Sequence, residues 1–260
     1  MRILITNDDG INARGLDVLH DIASELAGKS GEVWTVAPAF EQSGVGHCIS
    51  LMSPVMVSDF GDRRFAAHGS PTDCVIAALH HVMRDCPPDL VISGVNRGNN
   101  SAENAMYSGT LGAAMEAALQ GVKSIALSQY FGPANRHLAD PFEASRRHGL
   151  ATVKKILEKG VWTNEEYGVF YNVNFPPVPS SEVKGLKAAR QGRRRHIKMR
   201  VEPAMSPTGR RFLWVAGGLQ EQEASEFSDA YWNGKGHISV TPMRADLTAH
   251  DALEALKAIE

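Results

Sequence analysis

The sequence predicts an α/β protein built on a parallel sheet, with helices between the strands. Three observations carry that prediction. Ile3, Leu4 and Ile5 form a short apolar run without alternation, which suits a strand buried on both faces. A segment with helical spacing, Gly15 to Leu26, and a second apolar run, Glu32 to Ala37, follow at once, making a βαβ unit. Further apolar runs, Asp89 to Ser93 and Ser124 to Ser128, recur later between helical segments.

The first strand stops at Asn7-Asp8-Asp9-Gly10. On a regular strand Asp8 and Asp9 point to opposite faces. They converge only where the chain bends, and Asn, Asp and Gly are the residues that let it bend. Acids at the carboxyl end of a first parallel strand also lie where open α/β sheets bind ligands. The bland alternative is a solvated turn.

The second strand ends at Pro38, and a polar, glycine-bearing loop runs from there to His47. Residues 49–67 alternate weakly and read as short edge strands. Gly69-Ser70-Pro71-Thr72-Asp73 opens a helix reaching about Met83, with Ser70 as N-cap and Pro71 at the first helical position. After the strand at 89–93 comes a glycine- and asparagine-rich loop at 93–110. A small-residue helix, Thr110 to Leu119, precedes the strand at 124–128. The chain is irregular over 129–140, helical from Phe142 to Glu158, and extended from Val169 to Phe175.

Residues 184–242 read as long β segments between basic or glycine-rich turns. The run Arg190 to His196 suits a solvated hairpin arm or, alternatively, contact with an anionic ligand. The chain ends in an amphipathic helix, about Ala249 to Ile259, with Thr248 to Asp251 approximating a capping box. The expected division is a core over 1–180 that carries the site, and a β arm with its helix over 181–260 belonging to the same fold.

With 260 residues, 43% hydrophobic and 22% charged, the chain is an ordinary globular protein. A net charge of -2 gives no reason to expect a nucleic-acid polymer or a membrane as partner. Cys48, Cys74 and Cys86 lack CxxC spacing, which argues against a disulfide framework or zinc knuckle and fits the cytoplasm. No signal peptide or membrane-spanning run is expected.

Parallel strands deliver their following loops to one sheet edge, so the loops at 7–12, 38–47, 68–73 and 93–110 should share a crevice. Their polar residues include Asp8, Asp9, Ser43, Asn96, Asn99, Asn100, Ser108 and Thr110. Oxygen donors without a cysteine or a histidine pair select Mg²⁺, Mn²⁺ or Ca²⁺. Ser108-Gly109-Thr110 and Gly69-Ser70 each precede a helix, where free N–H groups suit a phosphate, though ordinary capping explains Ser70 and Thr110 equally. Ser43-Gly44-Val45-Gly46 offers turn amides for the same purpose. GxGxxG after the first strand, GxxxxGK[ST], GxSxG around Ser43 and HExxH are all missing, which disfavours a dinucleotide fold, a P-loop, a serine hydrolase and a zincin.

These motifs, in this order, resemble the stationary-phase survival protein SurE family. The resemblance rests on Asn7-Asp8-Asp9-Gly10, Ala37-Pro38 with Gln42-Ser43-Gly44, and Gly69 to Cys74. It continues through Ser93 to Gly98, Tyr107 to Thr110 with Ala113 to Glu116, and Val240-Thr241-Pro242 with Asp246 to His250. It implies a Rossmann-like core with helices on both faces and a C-terminal arm exchanged within a homodimer or homotetramer. It implies one divalent ion per subunit, Mg²⁺ or Mn²⁺, held by Asp8, Asp9, Ser43 and Asn96. The activity implied is a 5′-nucleotidase, a phosphomonoesterase acting on nucleoside 5′-monophosphates and in some members on 3′-monophosphates or short polyphosphate. Arg14, Ala39-Phe40, Ser70 and the stretch Ser101 to Asn104 depart from the usual pattern.

The sequence reading therefore assigns catalysis to Asp8 and Asp9. It assigns substrate and phosphate binding to Asn96, Asn100, Gly44, Ser108, Gly109 and Thr110. The nucleophile is left as water or Asp8 itself, and two other classes stay open: a non-catalytic nucleotide- and metal-binding regulator, and an oligomeric scaffold whose main role lies in the C-terminal arm.

Overall fold

The computed structural model describes residues 1–260 apart from 164–165, 196–198, 219 and 222. The histidine that closes the basic run, His196, therefore lies outside the described residues. The first half of the chain runs β1 (Arg2–Thr6), α1 (Arg14–Ala27), β2 (Glu32–Pro38), β3 (Val57–Asp59), β4 (Arg64–Ala67), α2 (Pro71–Ala77), β5 (Leu90–Arg97) and α3 (Gly109–Leu119). It continues through β6 (Ser124–Gln129), α4 (Glu143–Lys159), β7 (Phe170–Phe175), β8 (Leu186–Ala188), β9 (Arg200–Met205), β10 (Arg211–Ala216), α5 (Asp229–Gly234), β11 (Ile238–Met243) and α6 (His250–Leu256).

Among the described residues, nine strands form one sheet in the order β3-β4-β2-β1-β5-β6-β7-β11-β8. From β4 to β7 the neighbours are parallel, while β3 and β11 run antiparallel to β4 and β7. The strand β1 sits between β2 and β5, so the chain reverses its direction across the sheet there. Such a switch point opens a crevice at the strands' carboxyl ends.

The unalternating run of β1 is explained by its two covered faces. Ile3 and Ile5 pack with Leu16, Leu19 and Ile22 of α1 and with Val153 and Ile156 of α4. Leu4 points the other way, into Cys74 and Val75 of α2 and Ala113 and Ala117 of α3. The small residues of α3 let that helix lie close over the sheet.

The structure corrects several boundaries. The strand read as ending at Ser93 continues to Arg97 through a register shift against β6 between Ser93 and Asn96. Such a bulge re-aims the residues that follow it. The helix expected to reach Met83 is α-helical only to Ala77 and widens into a π turn over Ala78–Val82. Residues 57–67 give one edge strand, β3, but β4 is interior and parallel to β2.

The 184–242 region is less β-rich than its pattern suggested. It holds a two-stranded ribbon, β9–β10, and two short pieces of the main sheet, β8 and β11, with the helix α5 between. Thr248 does not cap α6. The N-cap is Ala249, and Asp246 takes the Thr248 amide and the His250 ring instead.

Candidate active site

β1 ends in a closed turn. The buried Asn7 side chain accepts from the Gly10 amide at 3.2 Å and donates to the Gly10 carbonyl at 2.9 Å. Gly10 has φ +100°, and a Cβ there would lie 3.3 Å from the Phe40 backbone, so glycine is required on both counts. The turn is the bend that the sequence demanded, and it separates the fates of the two acids.

Asp8 is 4% exposed. Its carboxylate accepts from the Thr110 hydroxyl at 2.7 Å and from the Thr110 amide at 3.2 Å, and its carbonyl accepts from the Gln42 amide at 2.7 Å. Burial pushes its pKa up to about 6. The Thr110 hydrogen bond opposes the shift, and the neighbouring Asp9 charge adds to it. Asp9 is also raised, again chiefly by burial, with the Arg97 amide at 3.0 Å pulling it down and Glu41 pushing it up.

These contacts stitch the loops after β1 and β2 and the end of β5 to the start of α3. α3 is pressed hard against Asp8: a Cβ on Gly109 would lie 3.0 Å from the Asp8 Cβ. Ser108 caps the helix, its hydroxyl accepting from the Leu111 amide at 3.1 Å.

The other expected residues fall as follows. Ser43 and Gly44 are exposed on the loop after β2, and the Ser43 hydroxyl donates to Glu41 at 2.7 Å. Asn96 donates its amide N–H to the Gly98 carbonyl at 3.1 Å, which leaves its side-chain oxygen as the donor atom available to a ligand. Asn100 is buried beneath the crevice: its side chain donates to the Ser128 hydroxyl, its backbone N–H donates to the Asn174 side-chain oxygen, and its carbonyl accepts from the Asn172 side-chain amide. The Thr110 hydroxyl is taken up by Asp8.

The charge of Asp9 thus acts on Asp8 and that of Glu41 on Asp9, and the cation acting on Asp9 is Arg97. A buried carboxylate without a full counter-charge is costly and suits a bound cation. Among the described residues no three of His, Cys, Asp and Glu form a metal-holding group. A site of two carboxylates completed by hydroxyl and amide oxygens has that property. The donor set fits a hard divalent ion.

Sequence reasoning missed two features. Glu41 gave no signal beyond its nearness to Ser43. His47, at the end of the loop after β2, meets the buried Glu116 of α3 at 2.7 Å. Beside that contact, the Gly46 amide donates to the Tyr107 carbonyl at 3.0 Å. Both contacts tie the Ser43 loop to α3 and the turn preceding it. Only the fold brings these separated residues together.

The family model described as "Survival protein SurE" matches residues 3–198. A Ruegeria pomeroyi protein named 5′-nucleotidase SurE is 64% identical over 258 residues, covering 99% of both chains. A Roseobacter denitrificans protein of the same name is 63% identical over 259 residues, covering 100% of this chain and 99% of its own. The crystal structure of the SurE protein from Aquifex aeolicus superposes with a TM-score of 0.81 at 32% identity, covering 100% of this chain and 99% of that one.

Proposed function

The chain belongs to the SurE family, and on that premise we infer that it is a metal-dependent 5′-nucleotidase that hydrolyses nucleoside monophosphates to nucleoside and phosphate. The observation that carries the site is Asp8: a buried carboxylate, raised to about 6, fixed by two Thr110 hydrogen bonds at the head of a helix.

We propose Asp8, Asp9, Ser43 and Asn96 as the donors to one divalent ion per subunit, Mg²⁺ or Mn²⁺. When bound, such an ion supplies Lewis-acid stabilisation of charge developing on the phosphoryl oxygens. The remaining work falls to the chain's own groups. Thr110 holds the Asp8 carboxylate in one orientation, ready to take a proton from an attacking water or to attack phosphorus itself. The first turn of α3, at Gly109, and the turn at Gly44 offer N–H groups to the phosphate oxygens, and the Ser108 hydroxyl lies at the same helix start, its own N–H being given to the Ala105 carbonyl. Asn96 would contribute both to the ion and to the substrate. Asn100 would act by fixing the loop in which it is buried.

Self-association is part of the proposal. The apolar side chains on β10, the uncovered helix α6 and the 3-10 turn after it, where Leu256 is 55% and Ile259 78% exposed, suit a homodimer or homotetramer. No helix among the described residues is long and apolar enough to cross a membrane. The three free cysteines support placing the reaction in the cytoplasm.

The test is phosphate release from AMP with Mn²⁺ or Mg²⁺, with and without chelator, across 5′- and 3′-nucleotides and short polyphosphate. Metal-dependent release that chelator abolishes is expected. Nucleotide binding without release would favour a regulator instead.

A further inference from the structure

β5 carries Asn96 next to its end, and the loop after it leads through a short helical turn, Ala102–Tyr107, to Ser108. Its middle is held by the C-terminal arm. Arg194, at the root of the β9–β10 ribbon, has a side chain only 2% exposed. Its Nη2 donates to the Asn99 side-chain oxygen at 2.6 Å and to the Ser101 hydroxyl at 2.8 Å. Its Nη1 donates to the Ser101 carbonyl at 3.1 Å and to Glu103 at 3.0 Å, and its Nε to the Gln220 carbonyl at 3.2 Å. A guanidinium has five N–H groups. All are used here, four of them on residues 99–103.

The same stretch contains a backbone outlier. Ala102 has φ +53°, a left-handed conformation unfavourable for a residue with a Cβ. Two more arm residues clamp it: Asp229 accepts its N–H at 2.9 Å and Gln191 donates to its carbonyl at 2.9 Å. A strained backbone persists only where its surroundings over-determine it, and such strain gathers at functional sites. A buried charged network is also a poor source of net stability compared with apolar packing. What it supplies here is a fixed geometry.

That geometry reaches the site from both ends. Upstream, only Arg97 and Gly98 separate Arg194's first contact, Asn99, from Asn96. Downstream, the turn ends at Tyr107, whose carbonyl accepts from the Gly46 amide of the Ser43 loop, and Ser108 then starts α3. We propose that Arg194 is a positioning residue of the active site: through Asn99, Ser101 and Glu103 it sets the separation between the Asn96 and Ser43 sides of the metal and phosphate seat. The inference rests on the metal-site reading given above.

The test uses the full-length protein and the variants Arg194→Lys and Asn99→Ala. Lysine keeps the charge but presents one nitrogen, which cannot reach Asn99, Ser101 and Glu103 together. Residues that orient a metal's ligands typically change affinity or activity about tenfold to a hundredfold when altered. Arg194→Lys should therefore weaken Mn²⁺ binding, read by calorimetry, and lower kcat for AMP by about tenfold or more, at unchanged secondary structure. Asn99→Ala, which leaves the arginine in place, should shift both in the same direction.

Both variants matching wild type within about twofold in Mn²⁺ affinity and kcat would overturn the proposal. If Arg194→Lys fails to fold, Asn99→Ala decides alone. A wild-type protein that binds no Mn²⁺ would instead sink the metal-site reading, a different failure from a positioning residue that proves neutral.

Discussion

The crevice at the end of β1 and the C-terminal arm depart from ordinary burial in opposite ways. In the crevice, polar groups are hidden: Asn7 and Asn174 are 0% exposed and Asp8 4%. On the ribbon, apolar groups are shown: Leu213 is 62%, Trp214 69% and Val215 72% exposed. Buried polar atoms and exposed apolar surface are the informative exceptions in a folded chain. The first calls for a small ligand able to satisfy the charge, the second for a protein surface able to cover the apolar side chains. The roots of the two regions meet at Arg194, so the arm both presents a surface and braces a loop.

The largest expected effect breaks the crevice side. Asp8→Asn keeps the side chain's shape and removes its charge. If Asp8 holds a divalent ion, kcat for AMP should fall on the order of a hundredfold or more, since phosphoryl-charge stabilisation is worth several kcal/mol.

The metal-free protein should show the opposite sign in stability. Asp8's pKa rises from 3.8 unfolded to about 6 folded, so between those values the native state binds the extra proton. Stability contributed by that proton is full below 3.8 and is lost as pH rises through about 6. Two pKa units correspond to roughly 3 kcal/mol. Metal-free Asp8→Asn should therefore unfold at a higher temperature than metal-free wild type at pH 7, with the gap closing near pH 4. A variant with lowered stability and intact turnover would return Asp8 to the role of a turn acid.

The second effect is about tenfold. Gly109→Ala places a Cβ 3.0 Å from the Asp8 Cβ and 3.1 Å from the Pro71 ring, so α3 must move by a few tenths of an ångström. Small misplacements of a reacting group cost up to a hundredfold per ångström. Raised KM for AMP with secondary structure intact is expected from steady-state kinetics. Unchanged kinetics would mean that the phosphate sits elsewhere.

How much of this was legible in the sequence follows from range. The Asn7–Gly10 turn, the Ser70 cap and the Ser108–Gly109 helix start are local devices, and each is where its residues said. The fold class followed from uninterrupted runs such as Ile3–Ile5, because burial on both faces removes alternation. What stayed hidden were contacts between segments far apart in the chain: Arg194 with Asn99, and His47 with Glu116. Neither side of such a contact carries a local mark. α5 was missed because Asp229 to Gly234 is too short for periodicity to show. β5 overran its expected end because apolar Gly94-Val95 crosses a register shift that no pattern encodes.

A third, smaller effect concerns the clamp between the Ser43 loop and α3. Glu116 is held below the usual carboxylate range, first by the hydrogen bond from His47, and burial opposes that shift. A depressed carboxylate contributes stability above its unfolded value of 4.5, which is lost as pH falls through the folded value. Glu116→Gln should cost about 1–2 kcal/mol at pH 7 in urea unfolding. It should cost much less in acid, and turnover at saturating metal should change only a few-fold. An equal cost at both pH values would show that shape, not charge, holds the loop.

The smallest expected effect on turnover tests the arm side and the separation of the two regions. Along β10, Leu213 and Val215 share one face of the ribbon, opposite Pro203 and Val201 of β9, while Trp214 lies on the other face opposite Glu202. An isolated two-stranded ribbon is marginal in water, so its persistence with apolar side chains outward argues for a partner copy that covers them. Leu213→Asp with Val215→Ser would put a charge and a hydroxyl on that face. The substitutions lie several residues from the root, where Arg194 and Gln220 grip the loop at 99–104. Sedimentation should show a smaller assembly, and kcat for AMP per chain should stay within about twofold, since neither residue touches the crevice and surface changes are usually small in effect. If assembly is lost and turnover falls with it by the tenfold expected of Arg194→Lys, the ribbon's partner must be bracing the root. The arm and the crevice would then act as one unit. If assembly survives, the exposed apolar face is not the contact, and α6 becomes the surface to alter next.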